Sequence, residues 1–140
     1  MFQKLIIVGR LGRDPEMRFT PTGQAVTSFS VATDRQYTDQ AGKPVKETVW
    51  FKVTAWGKLA ETCNTYLQKG KLALIEGRLT VDAKTGGPRT WTGQDGQVRA
   101  SYEVTAQTVK FLSGRTEGAP EGSTGGEEEL EPAPSEDIPF

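Results

Sequence analysis

The chain has 140 residues, enough for one ordinary domain with chain to spare; 35% are hydrophobic, 25% are charged, and there are 16 Gly and 8 Pro. It holds no His and one Cys, Cys63, which removes His-based triads, imidazole general bases, most zinc sites and any internal disulfide framework. The net charge of −1 conceals a division: residues 1–115 carry 17 bases and ten acids, giving +7, and residues 116–140 carry eight acids and no base, giving −8. A basic binding body with an acidic interaction tail is the reading this favours; a solubility tail on an unremarkable domain is the alternative. No apolar run reaches the roughly 18 residues of a membrane span. Leu5-Ile6-Ile7-Val8 is too short for a secretory signal. A lone thiol fits a reducing cytosol, so a cytoplasmic protein is expected.

In chain order, Lys4–Leu11 reads as a buried strand closed by Gly12 and the Asp14-Pro15 turn. Met17–Thr20 continues as a short strand before Pro21-Thr22-Gly23. Residues 25–33 alternate, with Thr27, Phe29, Val31 and Thr33 on one face. Residues 38–46 are polar, with Gly42 and Pro44, and read as a loop. Thr48–Trp56 is a strand. Lys58–Lys69 takes helical spacing, with Leu59, Cys63, Tyr66 and Leu67 in one stripe and Gly70 where a C-terminal cap belongs. Lys71–Val81 returns to strand, and residues 82–97 read as a long polar hairpin tip. Val98, Ala100, Tyr102, Val104 and Ala106 alternate, then the phase slips before Val109 and Phe111, which predicts a bulge at a barrel corner.

About three strands, one helix and two strands fit an all-β fold with one helix: a five-stranded Greek-key barrel of the OB type, over residues 1–112. A small open sheet with one packed helix fits the same pattern. Residues 113–140 are rich in Gly, Pro and Glu and cannot bury enough surface to offset ordering entropy, so a disordered tail is expected. Its end, Asp137-Ile138-Pro139-Phe140, joins apolar side chains to a terminal carboxylate on an acidic segment. Such a tip reads as a protein-docking peptide, with a chance hydrophobic end as the alternative.

The chemistry concentrates in Val49-Trp50-Phe51-Lys52-Val53-Thr54-Ala55-Trp56. Strand alternation puts Val49, Phe51, Val53 and Ala55 on an apolar core face and Trp50, Lys52, Thr54 and Trp56 on the other. Two indoles flanking an ammonium suit single-stranded nucleic acid, in which every base offers a π-face and every linkage a phosphate. Indoles packed beneath a loop or a subunit interface are the alternative. Tyr37 beside Arg35, and Trp91 near a hairpin tip, join them, with Lys43, Lys46, Lys58, Lys84 and Arg99 around. No cofactor or metal is expected: Gly86-Gly87-Pro88 lacks the Lys-Ser/Thr of a phosphate loop, and the acids show no metal-ligand spacing.

Leu5-Ile-Ile-Val-Gly-Arg-Leu-Gly-Arg-Asp-Pro-Glu, Thr48-Val-Trp-Phe-Lys-Val, Trp56-Gly-Lys-Leu-Ala-Glu, Tyr66-Leu-Gln-Lys-Gly and Ile75-Glu-Gly-Arg-Leu resemble the bacterial single-stranded DNA-binding protein family. So does the terminal Asp-Ile-Pro-Phe. The resemblance covers roughly residues 2–112 and the last few. It implies an OB-fold homotetramer that wraps single-stranded DNA in replication, recombination and repair, in the bacterial cytoplasm with the nucleoid. Its C-terminal tip, Asp137 to Phe140, would recruit replication and repair proteins. On matching positions Trp50, Trp56 and Tyr37 resemble stacking residues and Lys52 a phosphate contact. Trp91 resembles another stacking position, although the stretch from Gly77 to Trp91 is longer here than the family usually has. Arg35, Lys46 and Lys58 complete the expected DNA contacts. An enzyme is not expected, because no nucleophile meets a base. An aromatic face that binds protein, and an OB protein that binds RNA, are the competing readings.

Overall fold

The structure, a computed structural model, describes residues 1–113; the acidic tail and its tip, Asp137 to Phe140, lie outside the described residues. The strands are β1 (Leu5–Leu11), β2 (Glu16–Phe19), β3 (Ala25–Thr38), β4 (Pro44–Trp56), β5 (Leu72–Leu79), β6 (Thr90–Thr92), β7 (Val98–Ala100) and β8 (Tyr102–Phe111). One helix, α1 (Gly57–Tyr66), joins β4 to β5. The hydrogen-bonded order β1-β5-β8-β4-β3 returns to β1 through Arg10↔Ala32 and Leu11↔Val31, so five strands close into a barrel. Its pairs are antiparallel except β4–β8, which runs parallel from Phe51↔Tyr102 to Thr54↔Thr105. β2 extends the free side of β3, and β6 and β7 form a separate hairpin.

Period-two alternation drives the barrel. Ile7, Leu11, Phe29, Val31, Val53 and Ile75 point inward and are at most 4% exposed. Helix α1 covers the barrel with Ala60 and Cys63, both fully buried. The Thr27 hydroxyl, also fully buried, donates to the Ala60 carbonyl at 2.7 Å and ties α1 to β3. The expected phase slip is present: Glu76 pairs with Thr108 but Gly77 with Ala106, so Gln107 is the extra residue of a bulge.

Four expectations need correction. Residues 38–46 are not a loop: β3 and β4 pair as far as Thr38↔Pro44, leaving a tight turn at 39–43 that the Asp39 carboxylate holds by accepting from the Ala41 and Lys43 N–H groups. This ribbon runs past the core, so both its faces meet solvent and its sequence loses the apolar alternation that marks a strand. The helix ends at Tyr66, not Lys69, and Gly70, at φ 82°, serves the following turn closed by Lys71 N–H to the Gln68 carbonyl. Tyr66 is exposed and tilts against Phe111 at 5.7 Å instead of joining the buried stripe. Val98 and Ala100 belong to β7, outside the barrel, and both are exposed.

Candidate nucleic-acid interface

On β4, Val53 and Ala55 are fully buried and Phe51 is half-buried, while Trp50 and Trp56 are 53% and 44% exposed. The two faces are therefore as alternation assigns them, with one exception. Val49 is exposed, because it lies where the ribbon leaves the core. Register sets the neighbours of the outward face: Trp50 pairs with Ala32, Lys52 with Ser30, Thr54 with Ser28 and Trp56 with Val26. Ala32 and Ser30, both small, leave room for Trp50 and Lys52 on the outer face of β3. Trp56 lies six positions beyond Trp50, roughly 20 Å along an extended strand. Trp56 is also the N-cap residue of α1 and makes no side-chain cap bond. An indole N–H only donates, so it cannot satisfy a free helix N–H group, and the helix gains nothing from Trp there.

An open groove of about 410 Å³ brings Trp50 and Lys52 together with Trp91 of the β6–β7 hairpin. Arg13, Arg18, Ser28, Ser30 and Ser101 also border it. A smaller hollow of about 360 Å³ lies beside it, lined by Gly12, Arg13, Ser30 and Trp50. The Trp50 ring crosses the small outward residues of β3 and rests on Gly12: a Cβ there would lie 2.5 Å from Cζ3 and 2.7 Å from Cη2 of the indole. Lys52 and Arg13 have no carboxylate partner among the described residues. Arg18 pairs with Glu16 at 3.8 Å.

The other expected residues fall outside this groove. Arg35 and Tyr37 have the opposite parity on β3 from the residues facing Trp50, and their contacts agree. Arg35 stacks over the Tyr37 ring at 4.8 Å and lies 3.7 Å from Glu47, and the Tyr37 hydroxyl donates to Glu47 at 3.0 Å. That bond and the Glu47 charge push the phenol pKa up, so Tyr37 stays neutral. Both residues thus occupy the reverse face of the ribbon. Lys46 shares the Trp50 face but pairs with Asp34 at 3.4 Å. The Thr48 hydroxyl donating to Asp34, assisted by Lys46, holds that carboxyl below its usual range. Lys58 is exposed on α1, Lys43 and Lys84 are exposed in turns, and Arg99 pairs with Asp95 at 2.8 Å. Among the described residues no cluster of His, Cys, Asp and Glu could hold a metal ion. No helix among them is long and apolar enough to cross a membrane.

Sequence reasoning missed Gly12, Arg13, Arg18 and Ser101. No local signal separates Arg13 from any other arginine. Only the β1–β3 crossing, with the Gly12 N–H donating to the Ser30 carbonyl, brings the end of β1 beside the Trp50 ring.

Residues 2–112 match the single-strand binding protein family. The chain belongs to that family. It is 44% identical over 120 residues to the single-stranded DNA-binding protein of Neisseria meningitidis serogroup A, across 84% of this chain and 65% of that one. The chain thus spans just under two thirds of that relative's length. A variant of the single-stranded DNA binding protein from Thermus aquaticus superposes with a TM-score of 0.64 at 30% identity, over 81% of this chain and 52% of that one. A Plasmodium falciparum SSB in complex with ssDNA superposes with a TM-score of 0.65 at 21% identity, over 81% and 96%. The barrel is an OB-fold. On this barrel the groove lies on the outer surface of β3 and β4, bordered by β2 and by Trp91 of the β6–β7 hairpin.

Proposed function

We propose that this protein binds single-stranded DNA without strong sequence preference and shields it during replication, recombination and repair. One observation carries the reading: Trp50, Lys52 and Trp91 line a single open groove. Two π-faces and an unpaired ammonium meet there. Stacking on an indole is worth roughly 1–3 kcal/mol per base and tolerates any base. Paired, stacked bases in a duplex offer an indole no free face, which makes the single strand the preferred ligand. Trp56, on the same outward face, extends the path along β4. The names of the Neisseria and Thermus relatives agree with this reading.

The protein is further taken to act as a homotetramer. The outward side of β1 leaves Ile6 61% and Val8 48% exposed; Val8 pairs with half-buried Leu74 of β5 and Ile6 with Glu76, and Phe2 is 90% exposed. An apolar stripe on the outer face of a sheet suits contact with a second copy. The tip, Asp137 to Phe140, is assigned to partner proteins of replication and repair on its sequence: apolar anchors and a carboxylate on an acidic segment.

Tryptophan fluorescence during titration with poly(dT), duplex DNA and RNA of equal length tests the reading. The largest quench at the lowest concentration is expected with poly(dT). Equal quenching by all three ligands would overturn the selectivity. Sedimentation of the full chain should give four copies; a monomer at working concentration would remove the assembly.

A further inference from the structure

We propose that Arg13 is a second phosphate contact of the groove, and that Gly12 is the notch that seats the Trp50 ring between it and Lys52. The inference rests on the reading of the groove as a single-stranded DNA site.

Charge pairing singles out Arg13. Most cations near the aromatic residues are already engaged: Arg18 with Glu16, Arg35 with Glu47, Lys46 with Asp34, Arg89 with Glu103 and Arg99 with Asp95. A phosphate reaching any of these must displace a carboxylate. Arg13 and Lys52 border the groove with no acid partner among the described residues. Two acids border it too, and both are engaged elsewhere: Asp14 Oδ1 accepts the Lys69 N–H at 2.8 Å, and Glu16 pairs with Arg18 at 3.8 Å. Arg13 alone among the cations lines both hollows that touch Trp50, the larger with Lys52 and the smaller with Gly12. A strand whose base stacks on Trp50 therefore has a guanidinium beside the stack as well as an ammonium. A planar guanidinium can engage two phosphate oxygens at once, which suits a fixed position in the groove.

Gly12 acts through Trp50. The indole occupies the volume where any other residue would carry its Cβ, at 2.5 Å from Cζ3. Gly12 is thus a positioning residue: a methyl group there moves the ring without removing a charge.

The full chain is titrated with poly(dT) by tryptophan quenching across a salt series. Each contacted phosphate on a single strand contributes about 0.7 to the slope of log K against log salt. Arg13→Gln should flatten the slope by about 0.7, Lys52→Gln by the same amount, and the double variant by about 1.4. Arg13→Lys should restore the slope. Gly12→Ala should weaken binding several-fold with the slope unchanged. An unchanged slope for Arg13→Gln beside a flattened one for Lys52→Gln would overturn the Arg13 contact and leave the groove standing. Unaltered affinity for a folded Gly12→Ala would overturn the seating role. A wild-type chain that poly(dT) does not quench would take down the groove itself, and this inference with it.

Discussion

Trp50 and Ile75 make opposite demands on their surroundings, and the difference separates binding from stability. Ile75 is fully buried, so Ile75→Ala removes its apolar contacts and leaves a cavity. The expected cost is about 2–5 kcal/mol, read as a lower urea midpoint with little change in the DNA affinity of the folded fraction. Trp50 and Trp56 are about half exposed, so Trp50→Ala and Trp56→Ala should leave the urea midpoint nearly unchanged. Each should weaken poly(dT) binding about 5- to 150-fold, the range that stacking energies set. A Trp50→Ala variant that unfolds while keeping its affinity would reverse the assignment of faces. Cys63 gives a third residue-scale test. Burial pushes its thiol pKa up from 9.0 to about 11. The unfolded thiol ionises first, so the stability that the neutral buried thiol contributes is fully present below pH 9 and lost between about pH 9 and pH 11. The stability gap between wild type and Cys63→Ala should narrow over that interval in urea melts. A gap constant to pH 11 would mean that the thiol ionises as readily folded as unfolded.

Among the elements, β3 carries both the core and the groove, and its bond to α1 can be tested directly. Thr27→Val keeps the shape and removes the 2.7 Å hydroxyl bond to the Ala60 carbonyl. A loss of about 1 kcal/mol is expected, the net worth of one buried hydrogen bond. An unchanged melt would show that packing alone holds the helix on the barrel. The same elements explain what was legible in the sequence. Strands with one buried face announce themselves, because burial demands strict alternation; β4 near Val53 and Ala55 and the slip at Gln107 were readable for that reason. The β3–β4 ribbon beyond Thr33 was not. Its pairs, such as Arg35↔Glu47 and Gln36↔Lys46, are polar on both faces, so a paired strand and a loop look alike. The helix stripe failed at Tyr66, because α1 stops there and the chain turns away toward Gly70. In the groove, Trp50 and Lys52 were legible because local alternation fixes which face they occupy. Gly12 and Arg13 were not. Their place depends on a strand crossing between segments distant in sequence, which no local pattern encodes.

At the scale of the whole molecule, the charge division predicts that tail and DNA compete for the same surface. The body carries seventeen bases against ten acids up to residue 115, and the last 25 residues carry eight acids and no base. On this model, covalent attachment would give those acids a high effective concentration at Arg13 and Lys52, whatever the protein concentration. DNA phosphates must then displace them as well as the groove's own counterions. Removing residues 116–140 should therefore tighten poly(dT) binding at low salt. The gain should fade above physiological ionic strength, where the Debye length falls below about 8 Å. Removing Phe140 alone leaves every acidic side chain in place and takes away only an apolar anchor. Its loss should abolish docking of partner proteins without changing DNA affinity. Affinities of the full-length and shortened chains across one salt series decide between the two roles of the acidic segment. Equal affinities at every salt concentration would end the competition model and leave the tip as an independent docking peptide.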